Sequence, residues 1–459
     1  MATQKNEQSS AQSTNQKSQR EYQKLNALRV LHVAATSVPH INGYTMRLQS
    51  ILREQARRGL DVLAITSPFY PGRLDPPDNL VLDQIEHKRS QHPAESSETS
   101  LSATITRTLR SMAKTTWCPS LASSAISLVE EKFLLRRFQK DIEIAAREHN
   151  ADVIHAHTPY RCGLPAIRAG ARLGIPVVYE VRGLWEDTAV VEGQISSSGA
   201  AYRHVRSAEN QAIQKADVVV AIGESLADDY ISRGASADRI VIAPNGADLE
   251  RLGTPSDSAI QAVETLREKI NGATVVGYVG SIRPLEGVQI LVEAIALLIQ
   301  QGHNIHGLIV GDGDSRKSLI DRSVALGIGD RMTFTGRVPA NDVGAYYDMI
   351  DIFAVTRDES RVTNLVTPIK PLEAMGRGKP VIMSALPALR ELGESAKAAR
   401  YYIPGHVEDL VARIIELYED PSSRIQLGEH ARAWVTAERT WSVTVDQIEK
   451  AYEQALSDS

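Results

Sequence analysis

Hydrophobic and polar positions alternate along this chain as short apolar runs separated by longer amphipathic segments. Leu28 to Ala34 is an apolar run typical of a buried strand, Met46 to Arg58 has apolar residues at helical spacing, and Asp61 to Thr66 is a second apolar run. A strand, a helix and a strand within about 40 residues predict a βαβ unit, whose two strands are parallel.

The same alternation continues along the rest of the chain, which divides into two blocks. The later runs of strand length are Ala151–His157, Val177–Glu180, Asp217–Ile222 and Arg239–Ile242 in the first block, and Thr274–Gly280, Gly307–Gly311, Met332–Gly336, Asp351–Val355 and Pro380–Met383 in the second. This pattern predicts an α/β protein made of two tandem, Rossmann-like, doubly wound domains. Ligands bind beyond the carboxyl ends of the strands in such sheets, so two facing domains enclose a central cleft.

Changes in composition divide the chain further. Residues 1–27 are almost entirely polar and predict a disordered tail, because they cannot bury enough apolar surface to offset the entropy of ordering them. The remaining segments are a first domain at 28–246 with a Ser- and Thr-rich mobile insertion at about 85–125, a polar linker at 247–273, a second domain at 274–435 and a terminal helix at 436–459.

Composition excludes several classes of protein. The chain has 459 residues and a formal net charge of −5, whereas nucleic-acid binders are usually basic. Its two cysteines, Cys118 and Cys162, cannot build a disulfide framework, and no Cys/His cluster indicates a structural metal. The most apolar helical stretch, Ile290–Ile299, is shorter than the roughly 20 residues of a membrane span, and the N-terminus lacks the apolar segment of a signal peptide. We expect a cytoplasmic protein.

Candidate chemistry in the first block follows its strands. Asn42 and Gly43 stand in the loop before the first helix, where a glycine lets the backbone approach an anion. A plain turn with Asn42 in the left-handed conformation fits equally well. His155 and His157 share one face of a strand, but no third zinc ligand is spaced nearby, and His157 at the strand end is the better active-site candidate.

Two charged segments offer further candidates. The stretch from Glu180 to Asp187 mixes charges with bulky apolar groups, which suits either a substrate rim or a surface salt-bridge patch. Lys370 and Glu373 lie three residues apart, on one side of a predicted helical turn. A lysine there can meet a diphosphate while the carboxylate accepts hydrogen bonds from sugar or ribose hydroxyls, although a simple ion pair explains the spacing equally well.

Taken together, the motifs of this chain resemble those of the retaining sugar-nucleotide glycosyltransferases of family 4, which have the GT-B fold. In order, the matching segments are Asn42-Gly43, Asp152–His157, Ala243–Gly246, Tyr278–Ser281, Val310–Gly313, Phe334–Val338 and Thr367–Met375. The helix around Trp441 to Leu456 resembles the terminal helix that crosses back onto the first domain in this fold.

The resemblance implies a site in the cleft. Glu373 would bind the ribose hydroxyls of the donor nucleotide, Lys370 its diphosphate and the turn at Arg337 its base, while His157 would face the transferred sugar. The full implied donor set is Asn42, Gly43, Arg283, Arg337, Val338, Thr367, Lys370 and Glu373, with His157 and Glu373 as catalytic residues and with Tyr44, Arg47, Tyr160, Glu180, Arg182 and Thr363 on the acceptor and sugar side. No cofactor and no divalent metal are expected, because cations and helix dipoles stabilise the departing diphosphate.

Some positions depart from the family pattern. The first glutamate of the usual Glu-x7-Glu motif would stand at position 365, where this chain has Leu365, and the usual phosphate-binding Arg and Lys align with Ser281 and Glu286. Arg283 is the nearest cation, and we expect Arg283 or Lys370 to compensate for the missing phosphate contacts. A subgroup with a Thr-Pro-x-Lys-Pro-x-Glu motif shares several of these changes, so we expect a variant active site.

The implied reaction moves a sugar from a nucleotide-sugar, most commonly a UDP-sugar in this family, to a hydroxyl of a glycan or lipid-linked acceptor, with retention of anomeric configuration. Cell-envelope or exopolysaccharide synthesis is the expected setting, with no nucleic-acid partner. A basic region made of Lys88, Arg89, Arg107, Arg110, Lys114 and Trp117 fits peripheral association with the membrane or a solvated loop. The alternative is a catalytically weak or inactive GT-B-fold regulatory subunit that binds sugar nucleotides. An oxidoreductase is disfavoured because no Gly-x-Gly-x-x-Gly opens either block.

Overall fold

The computed structural model describes residues 28–38, 42–69, 79–90, 119–394 and 396–458. The predicted tail at 1–27 and the central part of the predicted insertion, residues 91–118, lie outside the described residues. So do four members of the predicted basic region, which are Arg107, Arg110, Lys114 and Trp117.

In the described part of the first domain, eight strands form one sheet with the order β3-β4-β2-β1-β5-β6-β7-β8, and among these strands only the β3–β4 pair is antiparallel. The strands are β1 (Arg29–Ala34), β2 (Asp61–Thr66), β3 (Asn79–Leu82), β4 (Ile85–Arg89), β5 (Val153–His157), β6 (Val177–Val181), β7 (Val218–Ala221) and β8 (Ile240–Ile242). The helices are α1 (Gly43–Arg57), α2 (Pro119–Glu148), α3 (Tyr160–Leu173), α4 (Trp185–Val191), α5 (Ala200–Lys215) and α6 (Glu224–Ser232).

The second domain is built on a six-stranded parallel sheet with the order β11-β10-β9-β12-β13-β14. The strands are β9 (Thr274–Val279), β10 (Ile305–Val310), β11 (Met332–Gly336), β12 (Ile352–Val355), β13 (Val381–Ser384) and β14 (Arg400–Tyr402). The helices are α7 (Leu249–Leu252), α8 (Asp257–Lys269), α9 (Val288–Gln300), α10 (Arg316–Ala325), α11 (Val343–Met349), α12 (Arg361–Leu365), α13 (Lys370–Gly376), α14 (Pro387–Arg390), α15 (Val407–Glu419) and α16 (Pro421–Glu438), and α17 (Trp441–Ser457) follows them.

Both faces of each sheet are covered, which explains why the strands are apolar without alternation. Successive residues of a strand point to opposite faces. Val153 and Ile154 of β5 are both without exposed surface and belong to two different core clusters, as do Val275 and Val276 of β9. Helices on both faces of parallel strands produce this arrangement. The predicted pair of doubly wound α/β domains is therefore confirmed.

The last helix packs on the first domain. Val445, Ile448 and Tyr452 of α17 have no exposed surface and share a core cluster with Val30 of β1 and Val218 of β7. The face of the first sheet that α1 covers only in part is completed by residues from the far end of the described chain.

Two segments differ from their predicted character. Residues 247–273, predicted as a linker, contain α7 and α8, and Leu252 and Val263 of these helices are buried in the core of the second domain. Widely spaced apolar residues in a polar segment conceal this helical face from sequence inspection. Ile85–Arg89, at the start of the predicted insertion, forms β4, whose residues Glu86–Arg89 pair with Leu63–Thr66 of β2.

Among the helices of the described residues, none has the length and apolar character that crossing a bilayer requires.

Candidate active site

Lys370 lies at the carboxyl edge of the second sheet, at the first position of α13. Its Nζ donates hydrogen bonds to the hydroxyl of Tyr278 at 2.7 Å and to Oε1 of Glu286 at 3.0 Å. Arg357 holds the same carboxylate from the other side, at 3.2 and 3.3 Å. Burial alone raises the pKa of Glu286, but Arg357 and Lys370 hold it at about 2. Glu286 is thus an ionised carboxylate between two cations, and Lys370 is the cation whose side chain keeps 22% of its surface exposed.

Gly280 permits this placement of Lys370. It follows β9 with φ at +149°, and a Cβ at this position would overlap the end of the Lys370 side chain. The glycine of the Tyr278–Ser281 motif therefore makes room for the lysine of a different motif, 90 residues later in the chain.

Glu373 lies one turn further along α13, and both of its carboxylate oxygens are engaged. Arg251 of α7 donates to Oε1 at 2.7 Å, and the hydroxyl of Tyr347 of α11 donates to Oε2 at 2.9 Å. Burial raises the pKa of Glu373 above its ordinary value, although Arg251 and Tyr347 oppose this rise. Lys370 and Glu373 thus take separate partners, and their side chains lie side by side on the helix, as their spacing predicts.

Arg283 connects the two domains across the cleft. It follows β9, and its guanidinium donates to Oε1 of Glu192, which follows α4 in the first domain, with an Nε–Oε1 distance of 2.9 Å. Tyr44 in the first turn of α1 is close enough to Arg182 and Arg283 for both cations to oppose the burial that raises its pKa. Arg283 therefore joins the second domain to the first through its ion pair with Glu192.

The loop before α1 is a helix cap. Asn42 has φ at −153°, so the left-handed turn considered for it is wrong. Its side chain accepts from the Thr45 N–H at 2.9 Å, and its own N–H donates to Thr45 Oγ1 at 2.8 Å, which forms a capping box. Gly43 is exposed, and the first N–H groups of a helix have no partner within the helix. This arrangement leaves the first backbone N–H groups of α1 without a partner in the helix.

Arg47, Glu180 and Arg182 form a buried network beneath that loop. Arg47 is 1% exposed and donates to both oxygens of Glu180, each at 3.2 Å, and to the Ala243 carbonyl at 2.9 Å. Arg182 approaches Glu180 at 2.8 Å and donates to the Tyr44 carbonyl at 2.7 Å. Arg47 and Glu180 were predicted to contact the acceptor. In the structure both side chains are buried and hold loops in place instead.

His157 is also covered. It has no exposed surface, its Nε2 lies 2.9 Å from Nδ1 of His32, and its Nδ1 lies 3.2 Å from Oε1 of Glu180. Burial and the nearby Arg182 lower its pKa to about 3. Both ring nitrogens thus have partners inside the domain, unlike the predicted contact with the transferred sugar.

A third histidine joins the predicted pair. His32 of β1 lies opposite His155 of β5 in the parallel register, so the ligand atoms of His32, His155 and His157 fall within 4.8 Å of one another, a spacing that a metal ion could use. The rings of His155 and His157 are stacked with centroids 4.3 Å apart, and the hydroxyl of Tyr452 lies 2.7 Å from Nδ1 of His155. Arg47 and Arg182 add positive charge beside the cluster, so the structure favours a neutral hydrogen-bond network.

Three other predicted residues have structural partners. The hydroxyl of Tyr160 donates to Glu131, and Thr363 sits in a capping box with Ser360 at the start of α12. Thr367 donates to the Ile222 carbonyl at 3.2 Å and so joins the second domain to the first. The remaining two lie on the turn after β11, where Arg337 is exposed and Val338 packs against the second core.

Sequence inspection missed several groups around the site. These are His32, Glu192, Arg251, Tyr347 and Arg357. Their contacts join segments far apart in the chain, and a motif that is contiguous in sequence does not report such partners. The position of the buried Glu286 was visible in the sequence, because a glutamate stands there in place of a cation of the family pattern.

Family models match both domains. One described as "Glycosyl transferase 4-like domain" matches residues 42–246, and one described as "Glycosyl transferases group 1" matches residues 264–434.

Curated relatives are glycosyltransferases. The D-inositol 3-phosphate glycosyltransferase of Corynebacterium efficiens is 30% identical over 55% of this chain and 60% of its own length. The enzyme of the same name from Mycobacteroides abscessus is 30% identical over 67% of each chain. The 2-deoxystreptamine glucosyltransferase of Streptomyces kanamyceticus is 25% identical over 64% of this chain and 74% of its own length. The chain thus spans between 60% and 74% of the length of these relatives.

Solved structures share the whole architecture. Sucrose-phosphate synthase from Thermosynechococcus elongatus has a TM-score of 0.70 at 20% identity and covers 94% of this chain and 100% of its own. Anabaena HepE in complex with UDP has a TM-score of 0.65 at 19% identity, with 93% and 100% covered, and WaaG, a glycosyltransferase involved in lipopolysaccharide biosynthesis, has 0.62 at 16%, with 92% and 98% covered. These likenesses confirm the predicted GT-B fold. With both domains matched and its relatives aligned across them, the chain belongs to the group 1 glycosyltransferases whose first domain is glycosyl transferase 4-like.

Proposed function

We propose that this protein transfers a sugar from a nucleotide-sugar to a hydroxyl of an acceptor, with retention of anomeric configuration. The carrying observation is the pair formed by Lys370 and Glu373 at the carboxyl edge of the second sheet, where a lysine with a partly exposed side chain lies beside a held carboxylate. An ammonium and a carboxylate at this spacing suit the diphosphate and the ribose of one nucleotide. UDP is the expected nucleotide, and a solved relative by fold, Anabaena HepE, was crystallised with UDP.

In this mechanism the bond between the anomeric carbon and the diphosphate oxygen breaks, and the acceptor oxygen bonds to that carbon on the same face. The proton of the acceptor hydroxyl passes to the departing diphosphate oxygen. Lys370 and Arg283 stabilise the negative charge that develops on the departing diphosphate, and the exposed N–H groups around Gly43 add to this stabilisation. These fixed positive groups supply what a divalent ion supplies elsewhere, so we expect no metal requirement.

The acceptor is a polyhydroxylated molecule, either a glycan or a lipid-linked glycan, in cell-envelope or exopolysaccharide synthesis. The names of the relatives support a hydroxyl-rich acceptor, since they specify D-inositol 3-phosphate and 2-deoxystreptamine. WaaG, which shares the fold, acts in lipopolysaccharide synthesis. Peripheral contact with the inner face of the membrane through the basic region belongs to the same proposal. A regulatory subunit without turnover is not favoured, because the relatives are named as enzymes.

The test is thermal stabilisation by UDP, GDP and their sugar conjugates, with and without EDTA. A ligand at 100 times its dissociation constant stabilises a protein by roughly 2.7 kcal/mol. We expect one nucleotide to raise the melting midpoint whether or not EDTA is present, and Glu373→Ala to remove that shift. Glu408→Ala, at an exposed carboxylate of α15, is the matched control and keeps it. Stabilisation by none of the nucleotides, or an unchanged shift in Glu373→Ala, contradicts the proposal.

A further inference from the structure

The Glu373 carboxylate is held by two donors from different elements of the second domain. Arg251 Nη2 reaches Oε1 at 2.7 Å and the Tyr347 hydroxyl reaches Oε2 at 2.9 Å. Each oxygen of an ionised carboxylate accepts two hydrogen bonds. One acceptor position therefore remains on each oxygen, and the side chain keeps 15% of its surface exposed.

Both donors are themselves fixed. Arg251 donates through Nη1 to the Ala340 carbonyl, and its backbone N–H is capped by Asp248 at 3.0 Å. Tyr347 has no exposed surface, and its ring packs on Phe353 with centroids 5.6 Å apart. A carboxylate gripped at both oxygens by fixed donors cannot rotate, so its two remaining acceptor positions point in fixed directions.

Two acceptor positions at a fixed spacing match two neighbouring hydroxyls. The ribose of a nucleotide offers this pair at its 2′ and 3′ positions, whereas a 2′-deoxyribose offers one hydroxyl and leaves a carboxylate oxygen without its partner. A site built to hydrogen-bond a hydroxyl discriminates strongly against the analogue that lacks it, because a buried polar group is then unpaired.

We propose that Arg251 and Tyr347 are positioning residues that make the nucleotide site selective for ribonucleotides over 2′-deoxyribonucleotides. This inference rests on the proposed function, since it takes the nucleotide of the donor as the ligand of Glu373. Neither residue touches the nucleotide: each acts through the orientation of the carboxylate.

The experiment measures the dissociation constants of UDP and 2′-deoxy-UDP, and of GDP and 2′-deoxy-GDP, for the full chain by calorimetry. The wild-type protein should prefer the ribonucleotide by on the order of 10- to 100-fold, the range for a hydrogen bond to a charged group. Arg251→Met and Tyr347→Phe should reduce that preference to about threefold or less, mainly by weakening the binding of the ribonucleotide.

Two further variants separate positioning from a general structural effect. Arg251→Lys should restore part of the preference, because an ammonium can still donate to one carboxylate oxygen. Arg322→Met removes a surface guanidinium that pairs with Glu293, and it should keep the wild-type preference. Tyr347→Phe preserves the buried ring, so the test stands even where Arg251→Met fails to fold.

The failures are distinguishable. Equal affinity of the wild-type protein for UDP and 2′-deoxy-UDP overturns the inference and leaves the proposed function in place. An unchanged preference in both Arg251→Met and Tyr347→Phe overturns it as well. Binding of none of the four nucleotides by the wild-type protein overturns the proposed function, and the inference with it.

Discussion

At the scale of single residues, burial decides which charged groups can meet a ligand. Arg47 and Glu180 are 1% and 0% exposed and pair with each other, whereas Lys370 pairs with Glu286 and still keeps 22% of its side chain exposed. Each pair consists of one cation and one carboxylate, so residue type does not distinguish the two pairs. Only the structure separates a group that holds a loop from one that faces the cleft.

Glu209 gives a prediction at this scale. It is 4% exposed, and it accepts hydrogen bonds from the Tyr160 N–H and the Tyr179 hydroxyl, each at 2.7 Å. Burial raises its pKa to about 7 against these bonds, compared with an ordinary value of 4.5. The folded protein therefore binds this proton more tightly than the unfolded chain, so its contribution is complete below about pH 4.5 and is lost as the pH rises to 7.

Glu209→Gln fixes the uncharged form. The free energy of unfolding of the variant minus that of the wild-type protein should increase by about 3 kcal/mol between pH 4.5 and pH 8. Urea denaturation at a series of pH values measures this difference, with Glu264→Gln at an exposed site of α8 as the control. A difference that does not change with pH would show that Glu209 is ionised in both states.

At the scale of elements, short helices deliver the residues that hold Glu373. Helices α7 and α11 carry Arg251 and Tyr347, and they meet where Gly344 lies against the backbone of Leu252. A Cβ on Gly344 would overlap the Leu252 carbonyl oxygen. The close approach of these two helices therefore depends on a position without a side chain.

Gly344→Ala should destabilise the protein, although alanine is about 1 kcal/mol better than glycine within a helix. Overpacking of this kind costs typically 1–3 kcal/mol, and separation of α7 from α11 should also weaken UDP binding. Thermal melting with and without UDP measures both effects. Gly43→Ala, where a Cβ would meet nothing within 4 Å, is the control for stability. A more stable Gly344→Ala protein would refute this account of the helix contact.

Most strands were predictable from the sequence, although β3, β4 and β14 were not, and most side-chain partners were not predictable either. The runs at Asp61–Thr66 and Met332–Gly336 match β2 and β11 to the residue. Strand β2 is buried on both faces and therefore apolar along most of its length, whereas the edge strand β11 is only partly buried and alternates apolar residues with threonines. The His155–His157 pair was visible for the same local reason. Its third member, His32, comes from a strand more than 120 residues earlier, and only the order of strands in the sheet brings it close.

At the scale of the whole molecule, ion pairs join the two domains around the cleft. Arg283 pairs with Glu192, Arg361 with Asp187 at 3.2 Å, and the carboxylate of Glu391 accepts from the first N–H groups of α6. In the proposed function Arg283 serves the diphosphate. In this structure Glu192 is therefore paired with the cation that the diphosphate of the donor would bind.

Glu192→Gln should tighten UDP binding by about threefold to tenfold, since the diphosphate no longer competes with a carboxylate for Arg283. Arg283→Gln should weaken it by a similar factor. Titration calorimetry measures both, and Asp228→Asn at an exposed site of α6 is the matched charge control. Weaker binding in Glu192→Gln would mean that the carboxylate closes the cleft around the nucleotide instead of competing with it.

Tyr452 completes the interior of the first domain, although the ribosome translates it long after that domain. Its hydroxyl accepts from Gln55 at 2.9 Å and lies 2.7 Å from Nδ1 of His155, 297 residues earlier in the chain. At about 5–20 residues per second, a ribosome needs roughly 15 to 60 s to span that distance. Throughout this interval the nascent first domain has an uncovered sheet face and a polar interior that lacks a partner. Its folding is therefore completed after translation of the second domain, so that a chaperone or a protease has access to the first domain until α17 docks.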